Sequence, residues 1–204
     1  MTDINKLKEE MITACKRAYQ RGIQTGSGGN ISIRVPDKEQ MIVKSSGASF
    51  ADSTIDGFVL TDFSGNVISG TGKPTREALL HGYLYTINPK INSVIHVHAP
   101  YSIIWSSDEE TLRRVTWHSQ LKLCADIPVL DIPSPMVRTE DFPLIKNIMD
   151  TYPDLSAFIL KNHGIVAMDR DPINAEHTAE LIEETAQIAF FEKLSAAFRL
   201  SSKQ

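Results

Sequence analysis

The chain has 204 residues, of which 42% are hydrophobic and 23% charged, a composition typical of a globular protein that can bury one sizeable core. A net charge of −4 without any basic block argues against nucleic-acid binding and against a polybasic membrane patch. No apolar run approaches the roughly 20 residues of a membrane span, and the N-terminus has no signal-peptide apolar region, so we expect a cytoplasmic protein. Residues 1–204 are predicted to form a single domain.

The first predicted element is an amphipathic helix over residues 3–21, which Gly22 can end. A glycine-rich segment over 26–30 follows and leads into a strand that alternates over 31–35. Glycines crowded before a strand allow backbone amides to face a ligand closely. A plain flexible loop would show the same glycine pattern. The segment alone therefore does not distinguish a ligand-binding loop from a flexible one.

Three more short strands are predicted over 41–44, 58–61 and 67–69. The turn at 36–38 and the turn at 63–66 join neighbouring strands closely. Tight turns of this kind favour antiparallel pairing. The strand at 41–44 ends in the polar segment Ser45-Ser46-Gly47.

A helix capped by Thr75 is predicted to run to about Ile87. Glu77 would lie in its first turn, where the helix dipole favours a carboxylate, so its simplest interpretation is a helix-start acid. His81 follows four residues later and therefore faces the same side of the helix as Glu77.

A buried strand is predicted over 93–98, and it carries His96 and His98 on one face because strand side chains alternate. Their Cα atoms would lie about 6.6 Å apart, two rises of about 3.3 Å. Two imidazoles at that spacing can converge on one metal ion. Pro100 suits the first turn of a following helix, predicted over 101–107, so the pair is expected at the end of its strand.

The second half of the chain alternates strands and helices and ends in a long helix that Asp171 caps. The predicted elements are strands over 127–130, 156–160 and 165–168, and helices over 139–151 and 172–198. The pattern of residues 115–122 does not predict one type of secondary structure. Glu180, Glu183 and Glu184 are predicted to form a solvated face of the last helix. The fold class predicted from this order is α/β, with helices on both faces of a largely antiparallel sheet.

A catalytic zinc ion usually takes three protein ligands and keeps one position open. His96 and His98 would supply two of them. His163 lies at a strand-to-strand corner beside Gly164, where it can be aimed into a cleft. His81 and His118 are the other candidates for the third ligand, and spacing favours none of the three decisively.

Five short motifs, in this order and spacing, resemble the class II aldolase/adducin family over nearly the whole chain. They are Gly28-Gly29-Asn30, Ser45-Ser46-Gly47, Lys73-Pro74-Thr75-Arg76-Glu77 with His81, His96-Val97-His98, and Asn162-His163-Gly164. The resemblance implies an α/β/α sandwich and a C4 homotetramer with active sites between subunits.

The resemblance also implies a role for each motif. His96, His98 and His163 would hold a divalent metal, usually zinc, with Mn²⁺ as another candidate. Glu77 matches the family's catalytic acid/base, and His81 then becomes a structural residue of its helix. A metal-stabilised enediolate would form when a C–C bond breaks, and the carboxylate that moves its proton is expected to have a raised pKa. The positions that cradle a substrate phosphate are Gly29, Asn30, Ser46, Gly47, Thr75 and Arg76.

The sequence departs from the family's sugar-phosphate aldolases at two places. Those enzymes usually carry Ser-Ser where this chain has Thr75-Arg76, and a basic residue there resembles the family's oxo-tetronate phosphate decarboxylases. The aldolases also use a tyrosine proton donor from the segment that matches residues 113–122, and this chain has none there. The available substitutes are Trp117, His118 and Lys122.

The resulting hypothesis is a metal-dependent lyase that cleaves a C–C bond in a phosphorylated keto-sugar or keto-sugar acid. Arg76 and the absent tyrosine favour a 3-oxo-tetronate 4-phosphate decarboxylase, because CO2 leaves without needing a proton. A class II aldolase of the L-fuculose-phosphate or ribulose-phosphate type is the main alternative. A sugar-phosphate epimerase or dehydratase, or a non-catalytic adducin-like binding module, are further alternatives.

Overall fold

A computed structural model of the chain describes residues 3–202 and contains six α-helices and nine β-strands in that range. The helices are α1 (Ile4–Arg21), α2 (Ala78–Ile87), α3 (Pro100–Asp108), α4 (Trp117–Lys122), α5 (Phe142–Thr151) and α6 (Pro172–Ser201). The strands are β1 (Asn30–Arg34), β2 (Gln40–Lys44), β3 (Phe58–Asp62), β4 (Val67–Ser69), β5 (Ser93–Val97), β6 (Thr111–Leu112), β7 (Ile127–Leu130), β8 (Ala157–Leu160) and β9 (Gly164–Asp169). Short 3₁₀ turns span Ile55–Gly57 and Thr139–Asp141. None of the helices over these residues is long and apolar enough to cross a membrane.

The nine strands form one sheet in the order β4-β3-β2-β1-β5-β9-β8-β7-β6. Every neighbouring pair is antiparallel except β7 and β8, which are parallel. The predicted antiparallel arrangement of the first four strands and the predicted hairpin of β8 and β9 are therefore confirmed. The central strand β5 lies between β1 and β9, so that Asn30 and Val166 are both register partners of His96.

Helices cover both faces of the sheet and complete a three-layer α/β/α sandwich, as predicted. On one face α1, α3 and α6 pack over Ile31, Ile95 and Val97, and on the other α2 and α5 pack over Val94 and Val166. Strand β5 is buried along its whole length, which explains its near-continuous apolar sequence. Because side chains alternate, His96 shares the α2 face with Val94.

Helix α2 begins at Ala78 with Glu77 as its cap, two residues later than the predicted cap at Thr75. The Thr75 backbone N–H donates to the Lys44 carbonyl (3.0 Å), and Pro74 forms a β-bridge with Ser45. This pairing with the end of β2 holds the segment extended, so a tertiary contact overrides the local helix signal. Glu77 therefore occupies the cap position, and its side chain makes no capping hydrogen bond within the helix. The prediction that Glu77 lies within the first turn is wrong by one residue.

The segment that fitted no single interpretation contains helix α4, whose start is a capping box formed by Thr116 and Ser119. Each of these residues accepts a hydrogen bond from the other's backbone N–H, at 3.0 and 3.1 Å. Trp117 and Leu121 of this helix are 86% and 80% exposed in the single chain. The helix therefore presents an apolar pair to its surroundings.

The prediction that Glu183 belongs to a solvated face of α6 is wrong. Its carboxylate is buried and accepts hydrogen bonds from the backbone N–H groups of Tyr101 and Ser102, at 2.8 and 2.9 Å, and from the Ser102 hydroxyl at 2.8 Å. Helix α3 crosses α6 at this point. The backbone N–H groups at the start of α3 have no partner within their own helix and therefore donate to the Glu183 carboxylate. Glu183 thereby fixes the start of α3, directly after the strand that carries the paired histidines.

Candidate active site

Three histidines from separate parts of the chain meet at the end of β5. His96 lies on the strand, His98 directly follows it, and His163 lies in the turn between β8 and β9. Their potential ligand nitrogens all lie within 4.8 Å of one another, and among residues 3–202 this is the one such group of His, Cys, Asp or Glu side chains. Of the three candidates for the third ligand, the geometry brings only His163 to the pair.

Two unusual backbone conformations flank His163. Asn162 has φ of 57° and Gly164 has φ of 153°. A Cβ on Gly164 would lie 2.2 Å from the Val97 carbonyl oxygen, so only glycine lets β9 approach β5 this closely. Asn162 and Gly164 therefore supply the backbone conformations of the turn that brings the His163 ring to the end of β5.

The tautomer of His96 is fixed by its hydrogen bond to the Ile165 carbonyl oxygen, 2.9 Å from Nδ1. A carbonyl only accepts, so Nδ1 carries the proton and Nε2 presents its lone pair. Within the described chain that Nε2 is buried and has no hydrogen-bond partner. A buried imidazole nitrogen with its lone pair free, and its other nitrogen held by the backbone, is the arrangement typical of a metal ligand.

The other two imidazoles, those of His98 and His163, have lowered pKa values that hold them neutral. Burial and the neighbouring His96 and His163 lower the pKa of His98 to about 4, and burial together with His96 lowers the pKa of His163. Only a neutral imidazole has a lone pair free for a metal ion. The lowered pKa values of His98 and His163 therefore favour binding of a cation between the rings. The residues present therefore fit a divalent metal.

Glu77 lies beside the histidines, and its Oε2 is 3.7 Å from His96 Nε2. The same oxygen accepts a hydrogen bond from Asn30 Nδ2 at 2.7 Å. Burial raises the pKa of Glu77, but His96, the Asn30 amide and the other histidines outweigh it and hold this pKa below its ordinary value. The expected raised pKa of this carboxyl is therefore not found, and the resting side chain is a carboxylate.

A cleft of about 310 Å³ opens in front of these groups and contains every residue that the resemblance assigned to metal, catalysis or phosphate. Its lining includes Gly29, Asn30, Ser46, Gly47, Thr75, Arg76, Glu77, His96, His98 and His163. Lys44, Pro135 and Met136 also line it and were not predicted. The position of Lys44, directly before the Ser45-Ser46-Gly47 motif, was the one signal that could have pointed to it.

Gln24 is a second residue that the sequence did not reveal. It is buried, and its Oε1 accepts a hydrogen bond from the His98 backbone N–H at 2.9 Å. A Cβ on Gly29, where φ is 68°, would lie 2.5 Å from the same oxygen. Gln24 thus joins the glycine loop to the strand end, and the pairing spans 74 residues of sequence, which hides it from local analysis.

Two cations line the cleft without a carboxylate partner among residues 3–202. Lys44 is 2% exposed, and its Nζ donates to the Ser45 carbonyl oxygen at 3.2 Å. Arg76 is exposed at the cleft and makes no ion pair within the same range. Burial lowers the pKa of Lys44, and a bound anion would favour its charged form, so the cleft is electrostatically suited to an anion.

None of the three residues considered as substitutes for a tyrosine donor lies in this cleft. Trp117, His118 and Lys122 are on α4, and the last two line a separate surface cavity with Arg17 and His177. His81 is likewise outside the cleft lining, on α2, where its Nδ1 lies 2.7 Å from the Ser32 hydroxyl.

Comparison with known proteins gives a consistent result. The family described as "Class II Aldolase and Adducin N-terminal domain" matches residues 9–190. An L-fuculose phosphate aldolase of Methanococcus maripaludis is 31% identical over 186 residues, covering 89% of this chain and 94% of the relative. A 3-oxo-tetronate 4-phosphate decarboxylase of Haemophilus influenzae is 27% identical over 194 residues, covering 93% of this chain and 89% of the relative.

Solved structures show the same fold. An L-fuculose 1-phosphate aldolase superposes with a TM-score of 0.83 at 26% sequence identity, covering 92% of this chain and 86% of that chain. Relatives with two different named reactions thus resemble this chain to a similar degree.

Proposed function

The chain belongs to the class II aldolase/adducin family, and from that premise we propose that it is a divalent-metal lyase acting on a phosphorylated keto-sugar or keto-sugar acid. The observation that carries the proposal is the convergence of His96, His98 and His163 next to the Glu77 carboxylate. We propose zinc as the metal, because three neutral imidazoles leave one position of a tetrahedral ion open, with Mn²⁺ as the alternative. Residues 1–204 would act as one catalytic domain.

The three histidines would hold the ion within the cleft. When bound, the ion supplies Lewis-acid polarisation of a substrate carbonyl, and three neutral ligands leave its positive charge intact. Glu77 transfers a proton to or from the carbon next to that carbonyl, because its carboxylate lies at the same place in the cleft. The Asn30 amide holds Oε2 of Glu77, so we propose that Asn30 orients the base besides lining the cleft.

The cleft lining also contains residues that suit a phosphate. Gly29 and Gly47 both have positive φ, at 68° and 79°, a conformation in which backbone N–H groups can face an anion. Ser46 and Lys44, which has no carboxylate partner among residues 3–202, line the same cleft. We propose that Gly29, Ser46, Gly47, Thr75 and Lys44 bind the substrate phosphate and hold the reacting carbon near Glu77.

Arg76 favours decarboxylation over aldol cleavage. The exposed guanidinium is free of ion pairs in the described chain and suits a second anionic group, such as a carboxylate. We propose a 3-oxo-tetronate 4-phosphate as substrate, because its carboxylate can leave as CO2 without a side chain that takes a proton from, or gives one to, the departing group. An aldolase of the L-fuculose-phosphate type is the second candidate, supported by the relative of that name.

Coupled detection of CO2 and aldehyde, with a panel of sugar phosphates and 3-oxo acid phosphates, tests this choice. We expect CO2 from a 3-oxo-tetronate 4-phosphate, and Arg76→Ser should raise KM for it about 10- to 150-fold, the range for a lost charged hydrogen bond. Arg113→Ser, at an exposed arginine outside the cleft, is the matched control.

Detection of other products would replace the proposed decarboxylase by one of the alternative functions. Aldehyde without CO2 would support the aldolase. A product of unchanged mass would indicate an epimerase, and one lighter by water would indicate a dehydratase. Binding of a phosphate without any turnover in the presence of metal would favour the adducin-like binding module.

We further propose a homotetramer with active sites between subunits. The support is helix α4, whose exposed Trp117 and Leu121 lie outside the cleft of their own chain. In such an assembly His118 or Lys122 would reach the cleft of a neighbouring subunit, which would supply the proton donor that each single chain lacks.

A further inference from the structure

A chain of buried polar side chains lies behind Glu77. The Ser32 hydroxyl oxygen is 2.6 Å from the Tyr85 hydroxyl and 2.7 Å from His81 Nδ1. All three side chains are at most 1% exposed. Ser32 is on β1, whereas His81 and Tyr85 are four residues apart on α2, so the chain links the sheet to the helix that follows Glu77.

The proton in each link can be assigned from the number of donors. Ser32 Oγ has one proton to share between two neighbours, and Tyr85 has no other acceptor within the described residues. Tyr85 therefore donates its hydroxyl proton to Ser32 Oγ. Ser32 then donates to His81 Nδ1. Any other arrangement leaves a buried hydroxyl proton without an acceptor, which costs about 1–3 kcal/mol.

This direction fixes the tautomer of His81. An Nδ1 that accepts leaves the ring proton on Nε2, and burial lowers the pKa of His81 to about 4, so the ring is neutral. His81 Nε2 is buried and has no acceptor in the part of the chain that the structure describes. The end of the polar chain is therefore an unused donor.

Glu77 offers the matching unused acceptor. Its Oε1 is buried and receives no hydrogen bond from any described residue, whereas Oε2 is held by Asn30. Glu77 and His81 are four residues apart at the start of one helix, so their side chains face the same side. Two buried groups of opposite hydrogen-bonding need thus face the same side of the helix start, near enough for the Glu77 charge to act on His81, although no direct hydrogen bond joins them.

We infer that His81 is a positioning residue that donates its Nε2–H to Glu77 Oε1 through one bound water. With Asn30 on the other oxygen, the carboxylate is held at both ends before the substrate arrives. Tyr85 and Ser32 act through His81 by keeping its proton on Nε2. The consequence for turnover rests on the proposed function, but the tautomer and the hydrogen bond do not.

The tautomer can be measured without any turnover. Full-length protein with ¹⁵N-labelled histidine, studied by NMR with and without added zinc, reports which ring nitrogen of each histidine carries the proton. His81 is identified by the signal that His81→Gln removes. We expect a neutral ring protonated at Nε2, and loss of this preference in Ser32→Ala. A ring protonated at Nδ1 would overturn the inference, whatever the substrate of the protein proves to be.

Kinetics of two variants at this position separate positioning from packing. Glutamine can place an N–H near the Nε2 position, whereas leucine fills space without a donor. His81→Leu should lower kcat about 100-fold, the scale of a misplaced catalytic group, with KM changed less than about threefold and zinc content unchanged. His81→Gln should restore at least about tenfold of that loss.

A purely structural role predicts a different pattern. Both variants would then lose thermal stability in parallel, and kcat would not differ between them at a temperature where each is folded. That result would overturn the inference. If His81→Leu does not fold, Ser32→Ala takes its place, with a several-fold lower kcat at unchanged zinc content expected and an unchanged kcat contradicting the inference. If no substrate of the panel is turned over at all, the proposed function fails while the NMR result still decides the role of His81.

Discussion

Replacing Glu77 by glutamine should lower kcat by about 100- to 10,000-fold, the range expected when a positioned acid/base is removed. The substitution keeps the size of the side chain, and its amide oxygen can still accept the hydrogen bond from Asn30 Nδ2. It removes the group that can take up and release a proton. We therefore expect unchanged zinc content and a KM within about threefold of the wild type, because binding of metal and phosphate relies on other residues.

Steady-state kinetics with the best substrate of the panel, together with elemental analysis, measure both effects. Glu192→Gln is the matched control, since Glu192 is an exposed carboxylate on α6 and lies outside the cleft. Turnover of Glu77→Gln comparable to the wild type would remove Glu77 from the mechanism. A loss of zinc in the same variant would instead make the carboxylate part of the metal site.

Replacing His98 by alanine should weaken metal binding by at least about 100-fold, since loss of supporting groups around a metal already costs about 10- to 100-fold. His98 is one of only three histidines in the cluster, and its removal leaves two ligands on one ion. Elemental analysis after dialysis should find close to one zinc per chain in the wild type and almost none in the variant.

His177→Ala provides the control for this measurement. His177 is exposed on α6 and is not part of the cluster, so its loss should leave zinc content unchanged. Full occupancy in His98→Ala would reject the ligand role of His98. Equal losses in both variants would mean that the bound zinc resides elsewhere.

Local rules were sufficient for the elements that carry the histidines. Strand alternation predicted that His96 and His98 share a face, and their ring centroids are 4.9 Å apart. The helix over α1 and its end at Gly22 follow from apolar spacing and from a left-handed glycine with φ of 80°. These features depend on residues within a few positions of each other, which a single sequence displays directly.

Long-range pairing explains what the sequence did not reveal. The start of α2 is delayed because Pro74 pairs with Ser45, and Glu183 is buried because α3 crosses α6. The choice of His163 among three candidates likewise required the close approach of β9 to β5, which Gly164 permits. Each of these contacts joins segments whose separate sequences carry no sign of their partner.

The candidate site likewise combines residues that the sequence indicates with contacts that it does not reveal. The residues that line the cleft were indicated by short motifs and by the family resemblance, whereas the hydrogen bonds between them were not. The bonds from Asn30 to Glu77 and from the His98 amide to Gln24 span 47 and 74 residues. For the Glu77 pKa, His96, the Asn30 hydrogen bond and the histidines His81 and His163 together outweigh desolvation, which reverses the expectation that burial alone suggests.

The central claim is that three imidazoles, distant in sequence, hold one divalent ion beside Glu77. A crystal structure of the full-length protein after zinc addition, with the ion located by anomalous scattering at the zinc edge, tests it most directly. We predict one ion bound by His96 Nε2 and by ring nitrogens of His98 and His163, each at about 2.0–2.1 Å. Anomalous density elsewhere with none between these rings, or a His163 that lies away from the pair, would contradict the account.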